Sequence, residues 1–328
     1  MPAAASPPRP PYDRTAVRPG WEELPPGLRH RVAELAGAEV IGAEVAGGGF
    51  TRGFAALLTL AGGGSVFVKA ASPELPVVES SYRAEASVLS QLPAGVSAPR
   101  LRFSDEVEGW VLLGIDAVDG GRMPGLPWTD GDVASAVRSC EEAAAALTPA
   151  PAGLTLTRLA DDIGGDEPYL TWFGAVSRDE TSSALLSPWG RQHLPDLQGL
   201  VDRSLGAIDG ETACHGDLRP DNLVLDPAGR TWICDWNWLS LAAPWTDLVG
   251  LLVTVHGVGL DADLALRSSR LGDGIDDDAI DAWLALIAAF MLSQAGDEPP
   301  VFASPWLGAH RAYFGTAALS WLQRRRTT

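Results

Sequence analysis

Apolar positions recur at two different spacings along the 328 residues, and the change from one to the other divides the chain. Between 39 and 70 they fall in short runs, 39–46, 54–60 and 65–70, separated by Gly47-Gly48-Gly49 and Gly62-Gly63-Gly64. Runs of that length between glycine triplets predict three antiparallel strands of a small sheet. A helix is expected before them over 25–36, opened by Pro25-Pro26 and closed by Gly37. Another follows over about 78–92, with Tyr82, Ala86 and Leu89 on one face. Two more strands are expected at 100–104 and 109–115. Beyond Gly120-Gly121 the spacing turns helical, predicting helices at 130–147, 189–207, 245–256, 277–293 and 306–325. Only 212–236 interrupts them, as short strands and turns. Residues 1–19 are proline-rich and read as a flexible leader. The pattern is therefore α+β and bilobal: a small β-rich lobe over 20–115 and a larger helical lobe over 116–328.

Composition narrows the class. The longest apolar stretches break well before the roughly 20 residues of a membrane span. No signal-peptide core precedes Gly20, which points to the cytoplasm. A net charge of -18 argues against nucleic acid and against anionic membrane surfaces, both of which need clustered cations. It suits a cationic small substrate, although solubility accounts for acidity equally well. Cys140, Cys214 and Cys234 lie too far apart for a metal knuckle and read as small buried residues in a reducing compartment. Of the 24 basic residues only Lys69 is lysine. A chain that uses arginine for generic surface charge keeps a lysine where a compact ammonium on a flexible stem is needed.

The chemistry concentrates in His215-Gly216-Asp217-Leu218-Arg219-Pro220-Asp221-Asn222. Two apolar runs follow, Leu223-Val224-Leu225 and Trp232-Ile233-Cys234, around a Pro-Ala-Gly turn, and the second ends in Asp235. Such a hairpin would bring Asn222 and Asp235 side by side, with Asp217 facing the same pocket. Phosphoryl transfer needs a carboxylate to take a hydroxyl proton, and an amide oxygen with a second carboxylate to hold Mg²⁺ on phosphates.

With these residues the sequence resembles the aminoglycoside phosphotransferase and choline kinase group, relatives of the protein kinases. The HxDxxxxN pattern falls on His215, Asp217 and Asn222, the metal-binding Asp on Asp235, and the Asp that braces the catalytic loop on Asp247. The resemblance runs over about 40–325 and implies a protein-kinase-like fold with ATP and Mg²⁺. It makes Asp217 the base and Asn222 and Asp235 the metal ligands. Val66-Phe67-Val68-Lys69-Ala70 resembles the strand whose Lys pairs the α- and β-phosphates. The partner of Lys69 is expected at Glu85, mid-helix, with Glu79 the alternative nearer the helix start. Gly48, Gly49 and Thr51 are candidates for phosphate contact, a plain hairpin turn being the other reading. The backbone near Asp116 and Val118 is expected to read the edge of the base. Arg219 is placed beside the transferred phosphate or else in solvent. Asn237, two after Asp235, stands where many members carry an acid, which bears on a second metal.

The acceptor should lie on the helical lobe. Asp161, Asp162, Asp166 and Glu167 form one acidic cluster and Asp273, Asp276, Asp277, Asp278 and Asp281 another. In antibiotic kinases such acids grip amines, while acidic turns and helix starts are otherwise simply solvated. Trp172, Trp236, Trp238 and Trp245 could wall the pocket or belong to the core. Two classes of function follow: an ATP-dependent kinase of an aminoglycoside-like molecule, sugar, amino alcohol or macrolide, or a nucleotide-binding pseudoenzyme without turnover.

Overall fold

The computed structural model describes residues 7–327. After α1 (Pro26–Ala36), strands β1 (Val40–Val45), β2 (Phe54–Leu60) and β3 (Ser65–Ala71) lead into α2 (Pro76–Leu89), then β4 (Leu101–Val107) and β5 (Trp110–Asp116). The five strands form one antiparallel sheet in the order β1-β2-β3-β5-β4. Period-two alternation gives the sheet two apolar faces. Val66, Val68 and Ala70 of β3 join Phe54, Leu58 and Leu112 beneath Leu28 and Val32 of α1. Residues of the opposite parity face α2, and this is the side on which Lys69 lies. There Ala71, Leu113 and Ile115 pack with Val78, Tyr82 and Leu89 in a core continuous with that of the helical lobe.

The second lobe begins with α3 (Asp130–Ala146), α4 (Leu159–Asp162), α5 (Trp172–Ser177), α6 (Pro188–Gln192) and α7 (Leu194–Ala207). Short strands β6 (Thr212–Cys214), β7 (Leu223–Leu225), β8 (Thr231–Ile233) and β9 (Ser240–Ala242) follow, paired β6 with β9 and β7 with β8. Helices α8 (Thr246–Gly257), α9 (Ala262–Arg267), α10 (Asp277–Ser293) and α11 (Leu307–Thr327) close the lobe. The single helix expected at 189–207 is two. Pro195 lies in the first turn of α7, where its missing N–H costs nothing, and the chain breaks before it at His193. Among the described residues no helix is long and apolar enough to cross a membrane.

The reading of 1–19 as a flexible leader needs correction. Residues 1–6 lie outside the described residues, but from Pro10 the chain is a bound strap. Tyr12 is 0% exposed, its ring edge-on to Phe50 and His310 and its hydroxyl 2.9 Å from His310 Nδ1. The Ala16 amide donates to the Gly47 carbonyl, Thr15 Oγ1 to that of Gly49 and an Arg18 guanidinium nitrogen to that of Gly48. Ser304 Oγ ties the Thr15 carbonyl to the helical lobe at 2.5 Å. Low-complexity composition lowers the cost of leaving a segment unfolded, yet here one buried tyrosine and a row of backbone acceptors outweigh it.

Tyr12→Ala should therefore destabilise the whole protein by about 3 kcal/mol or more, the range for truncating a buried aromatic. The half-exposed neighbour Val17 gives the control: Val17→Ala should change stability by about 0.5 kcal/mol or less. Urea unfolding midpoints of the two variants decide it.

Candidate active site

The centre is built by the chain between β6 and α8. After β6 the backbone passes through Gly216 at φ +79°, where a Cβ would stand 2.6 Å from the Trp238 carbonyl oxygen, so only glycine fits. A 3-10 turn over Pro220–Asn222 then leads into β7. The turn between β7 and β8 is held by Asp226 Oδ1, which accepts from the Ala228 and Arg230 amides. Pairing of Leu223 with Ile233 and the Cys234 amide donating to the Asn222 carbonyl (2.9 Å) bring Asn222 beside Asp235.

The loop is braced from below. Asp247, in the first turn of α8, accepts from the His215 amide at 2.6 Å and the Gly216 amide at 2.9 Å. His215 Nε2 lies 2.8 Å from the Cys234 carbonyl, and the Asp217 amide donates to its Nδ1 at 3.3 Å, so the ring ties the loop to the hairpin. Asn222 Nδ2 donates to the Asp217 carbonyl at 2.8 Å and lies 3.5 Å from its carboxylate. Burial pushes the Asp217 carboxyl above the usual range, and the neighbouring Arg219 cation opposes it. Arg219 pairs with Asp217 and, through two 3.1 Å bonds, with Asp221, and its guanidinium lies 5.2 Å from the centre of the Phe50 ring. It is neither solvated nor unpartnered.

Opposite the loop, Lys69 Nζ donates to both Glu85 oxygens at 2.6 and 2.8 Å and to Asp235 Oδ1 at 2.7 Å. Glu85 is 0% exposed, whereas Glu79 pairs with Arg83 on the surface. Burial opposes the charge on Lys69, but the Asp235 and Glu85 carboxylates more than offset it and hold the ammonium in its charged form. Asp235 sits at φ +68°, a left-handed backbone that costs a non-glycine residue about 1 kcal/mol.

The other sequence candidates fall less simply. The carbonyls of Gly47, Gly48 and Gly49 hold the strap, and a Cβ on Gly47 would stand 2.1 Å from the Asp13 carbonyl oxygen. The glycines thus admit a neighbouring backbone, while their three N–H groups have no partner among the described residues. Thr51 bridges to Ala303 of the helical lobe. At the connector, the Asp116 amide donates to Arg100 and the Val118 carbonyl accepts from Gly121, so two of the groups expected to read a base are already engaged.

Next to Asp217 a cavity of about 420 Å³ opens into the helical lobe, bordered by Phe50, Asp162, Arg219, Trp238, Trp283 and His310. Of the four tryptophans named from sequence, Trp172, Trp236 and Trp245 are core and only Trp238 reaches this space. Of the two acidic clusters only Asp162 does. Asp277, Asp278 and Asp281 pair instead with Arg325 and Arg326 of α11. Sequence reasoning missed Tyr12, Phe50, Asp221 and His310. Asp221 lay inside the motif it quoted; the others carry no local signal.

A strand lobe and a helical lobe joined at one connector, with the Lys–Glu pair on the first facing an Asp/Asn/Asp loop and hairpin on the second, define a protein-kinase-like architecture. The model of the phosphotransferase enzyme family (APH) matches residues 49–284, and the chain belongs to that family. It is 28% identical over 188 residues to an aminoglycoside 3'-phosphotransferase of Streptomyces ribosidificus, a match covering 56% of this chain and 62% of that relative. Choline kinase LicA from Streptococcus pneumoniae has the same fold: TM-score 0.58 at 14% identity, over 90% of this chain and 98% of that one. A structure of LicA with AMP aligns at TM-score 0.51 and 15% identity, over 90% and 97%.

Removing one partner of a buried ion pair strands the other. Lys69→Met should cost about 3 kcal/mol or more of stability, and adding Glu85→Met should recover part of it; denaturant titration of the two variants reads this out. A second expectation concerns His310, which faces Tyr12, Phe50, Arg219 and Arg311. Burial, with Arg219 and Arg311 adding repulsion, holds its pKa well below the ordinary value. The unfolded chain takes up this proton near pH 6.5 and the folded one does not, so stability is full above that pH and falls as pH drops below it. The slope is at most about 1.4 kcal/mol per pH unit from this group. His310→Phe should flatten the thermal midpoint against pH between 6.5 and 5.

Proposed function

We propose that this protein transfers the γ-phosphoryl group of ATP to a hydroxyl of a small molecule, with Asp217 as the base. The observation that supports it is the meeting of Asp217, Asn222 and Asp235 on one loop and hairpin, across from the buried Lys69–Glu85 pair. Phosphoryl transfer needs little covalent chemistry from a protein and much positioning and charge. The acceptor O–H bond breaks and its proton passes to Asp217. A new bond forms between that oxygen and the γ-phosphorus as the bond to the β,γ-bridging oxygen breaks and ADP leaves.

Each neighbour has a part in this. Arg219 and Asn222 fix Asp217 from two sides, and Asp247 fixes the backbone beneath it. Lys69 is already a charged, desolvated donor suited to the α- and β-phosphates. The unpaired N–H groups of Gly47, Gly48 and Gly49 are suited to phosphate oxygens. Asn222 and Asp235 offer hard oxygens of the kind Mg²⁺ prefers, and Asn237 Oδ1 is a third, buried and without a hydrogen-bond partner. When bound, Mg²⁺ neutralises charge on the phosphates. The AMP held by LicA supports an adenine nucleotide as the donor. A cytoplasmic setting, where ATP is plentiful, goes with this reading.

Incubation with Mg-ATP and a mixed panel of alcohols, followed by mass spectrometry, should yield a product about 80 mass units heavier for at least one acceptor. Asp217→Asn should lower turnover by several orders of magnitude with nucleotide affinity little changed. Near-wild-type turnover in that variant would remove Asp217 from the role of base.

A further inference from the structure

Beyond Asp281 helix α10 is apolar all round, and one of its faces borders open space. Ile280, Leu284, Ala285, Ala288 and Leu292 are buried in the helical-lobe core. Trp283, Leu286, Ile287, Phe290 and Met291, spaced i, i+3, i+4, i+7 and i+8, pack on the same core and also form one wall of the cavity beside Asp217. A helix surrounded by protein is expected to be apolar all round, but this face borders a space of about 420 Å³, within the range of small-molecule sites.

The ionic groups around that space are few and nearly balanced. Asp162 already accepts from the hydroxyls of Thr157 and Ser240, at 2.7 and 2.8 Å, and Asp217 is paired with Arg219. Against these two carboxylates stand the Arg219 and Arg311 guanidiniums. Arg311, half-buried, donates to the Gln294 carbonyl at 3.2 Å and makes no salt bridge among the described residues. Burial pulls its pKa down, and the Asp297 carboxylate only partly offsets it. His310 on the same wall is held neutral by its surroundings. An ammonium-rich molecule entering here would lose its hydration against Leu, Phe and Trp side chains and meet one carboxylate without a cationic partner, Asp162, whose two hydrogen bonds both fall on Oδ2. That is too little counter-charge for several ammonium groups, each with a desolvation cost of several kcal/mol.

We propose, resting on the phosphotransferase reading, that the acceptor is an alcohol with a largely apolar body and no array of ammonium groups. Arg311 takes an oxygen of it, a carbonyl or a carboxylate. The α10 face supplies affinity through apolar contact, and Arg311 supplies orientation and rejects cations. This differs from the amine-binding site that the acidic composition suggested.

Gly250 of α8 lines the same cavity, and a Cβ there meets nothing within 4 Å. Gly250→Leu therefore projects into the space while raising helix propensity. The first experiment titrates anilinonaphthalene sulfonate, an apolar anion, into wild type, Gly250→Leu and Arg311→Gln. Saturable binding by wild type, at least ten-fold weaker in both variants and not displaced by streptomycin, is expected. Equal affinity in all three proteins, or displacement by streptomycin, overturns the proposal. The second experiment compares phosphorylation of neutral or acidic apolar alcohols with that of streptomycin under Mg-ATP. A kcat/KM at least ten-fold higher for the best apolar alcohol is expected, and a preference for streptomycin overturns the proposal. Cavity-dependent binding of the probe with transfer to no acceptor at all would count against the kinase reading while upholding the chemistry of the cavity.

Discussion

An ammonium taken out of water stays charged only where carboxylates replace the lost hydration. Lys69 meets that condition with Glu85 from α2 and Asp235 from the hairpin after β8, 16 and 166 residues away in the chain. One side chain on the sheet thus fixes the helix behind it and the loop opposite it. Because Lys69 and Glu85 are buried only on condition that each has the other, and Lys69 also meets the half-buried Asp235, the placements of α2, β3 and the hairpin are tied to one another. That placement also sets Asp235 next to Asn222, and Asn222 holds Asp217. The order of the whole centre descends from this triad.

A second tie joins the lobes. The strap at Tyr12–Arg18 bonds the glycine run through its carbonyls and reaches the helical lobe at Ser304 and His310. Around the Thr51–Ala303 bridge the Arg52 amide donates to the Phe302 carbonyl and the Ser304 amide to that of Phe50. The glycine run is therefore anchored through its carbonyls, with its N–H groups left over among the described residues. Anchorage through carbonyls, with the N–H donors unused, lets a glycine run be held in place and still suited to an anion.

The two-lobe plan, the five strands of the sheet and the pairing of Lys69 with a mid-helix glutamate were readable because each rests on short-range pattern: glycine punctuation, period-two alternation, helical spacing around Glu85. The HxDxxxxN loop and Asp235 were readable for the same reason, since one hairpin supplies their geometry. What escaped depends on contacts between distant segments. Nothing in Pro10–Tyr12 announces that His310, 298 residues on, will receive the tyrosine hydroxyl. The break between α6 and α7 was visible in Pro195, but helical spacing on both sides outweighed it. Arg219 was weighed between a phosphate and solvent when its partners, Asp217 and Asp221, stood within two residues of it.

The acidity of the chain is spent largely outside the cavity. A net charge of -18 invites the thought of a cationic ligand. Yet the densest acidic run, at the start of α10, carries the N-cap of that helix at Asp276 and a network with Arg325 and Arg326. The acids of the other candidate cluster, Asp161, Asp162, Asp166 and Glu167, are exposed, and two hydroxyls share one oxygen of Asp162. Charge that is neutralised in pairs, or spread over solvated turns, contributes to solubility and to helix starts but places no field inside a cavity. The specificity of such a site is set by the few groups that cannot escape it. In the acceptor site we propose, those are the apolar face of α10 and the guanidinium of Arg311, and a count of charges shows neither.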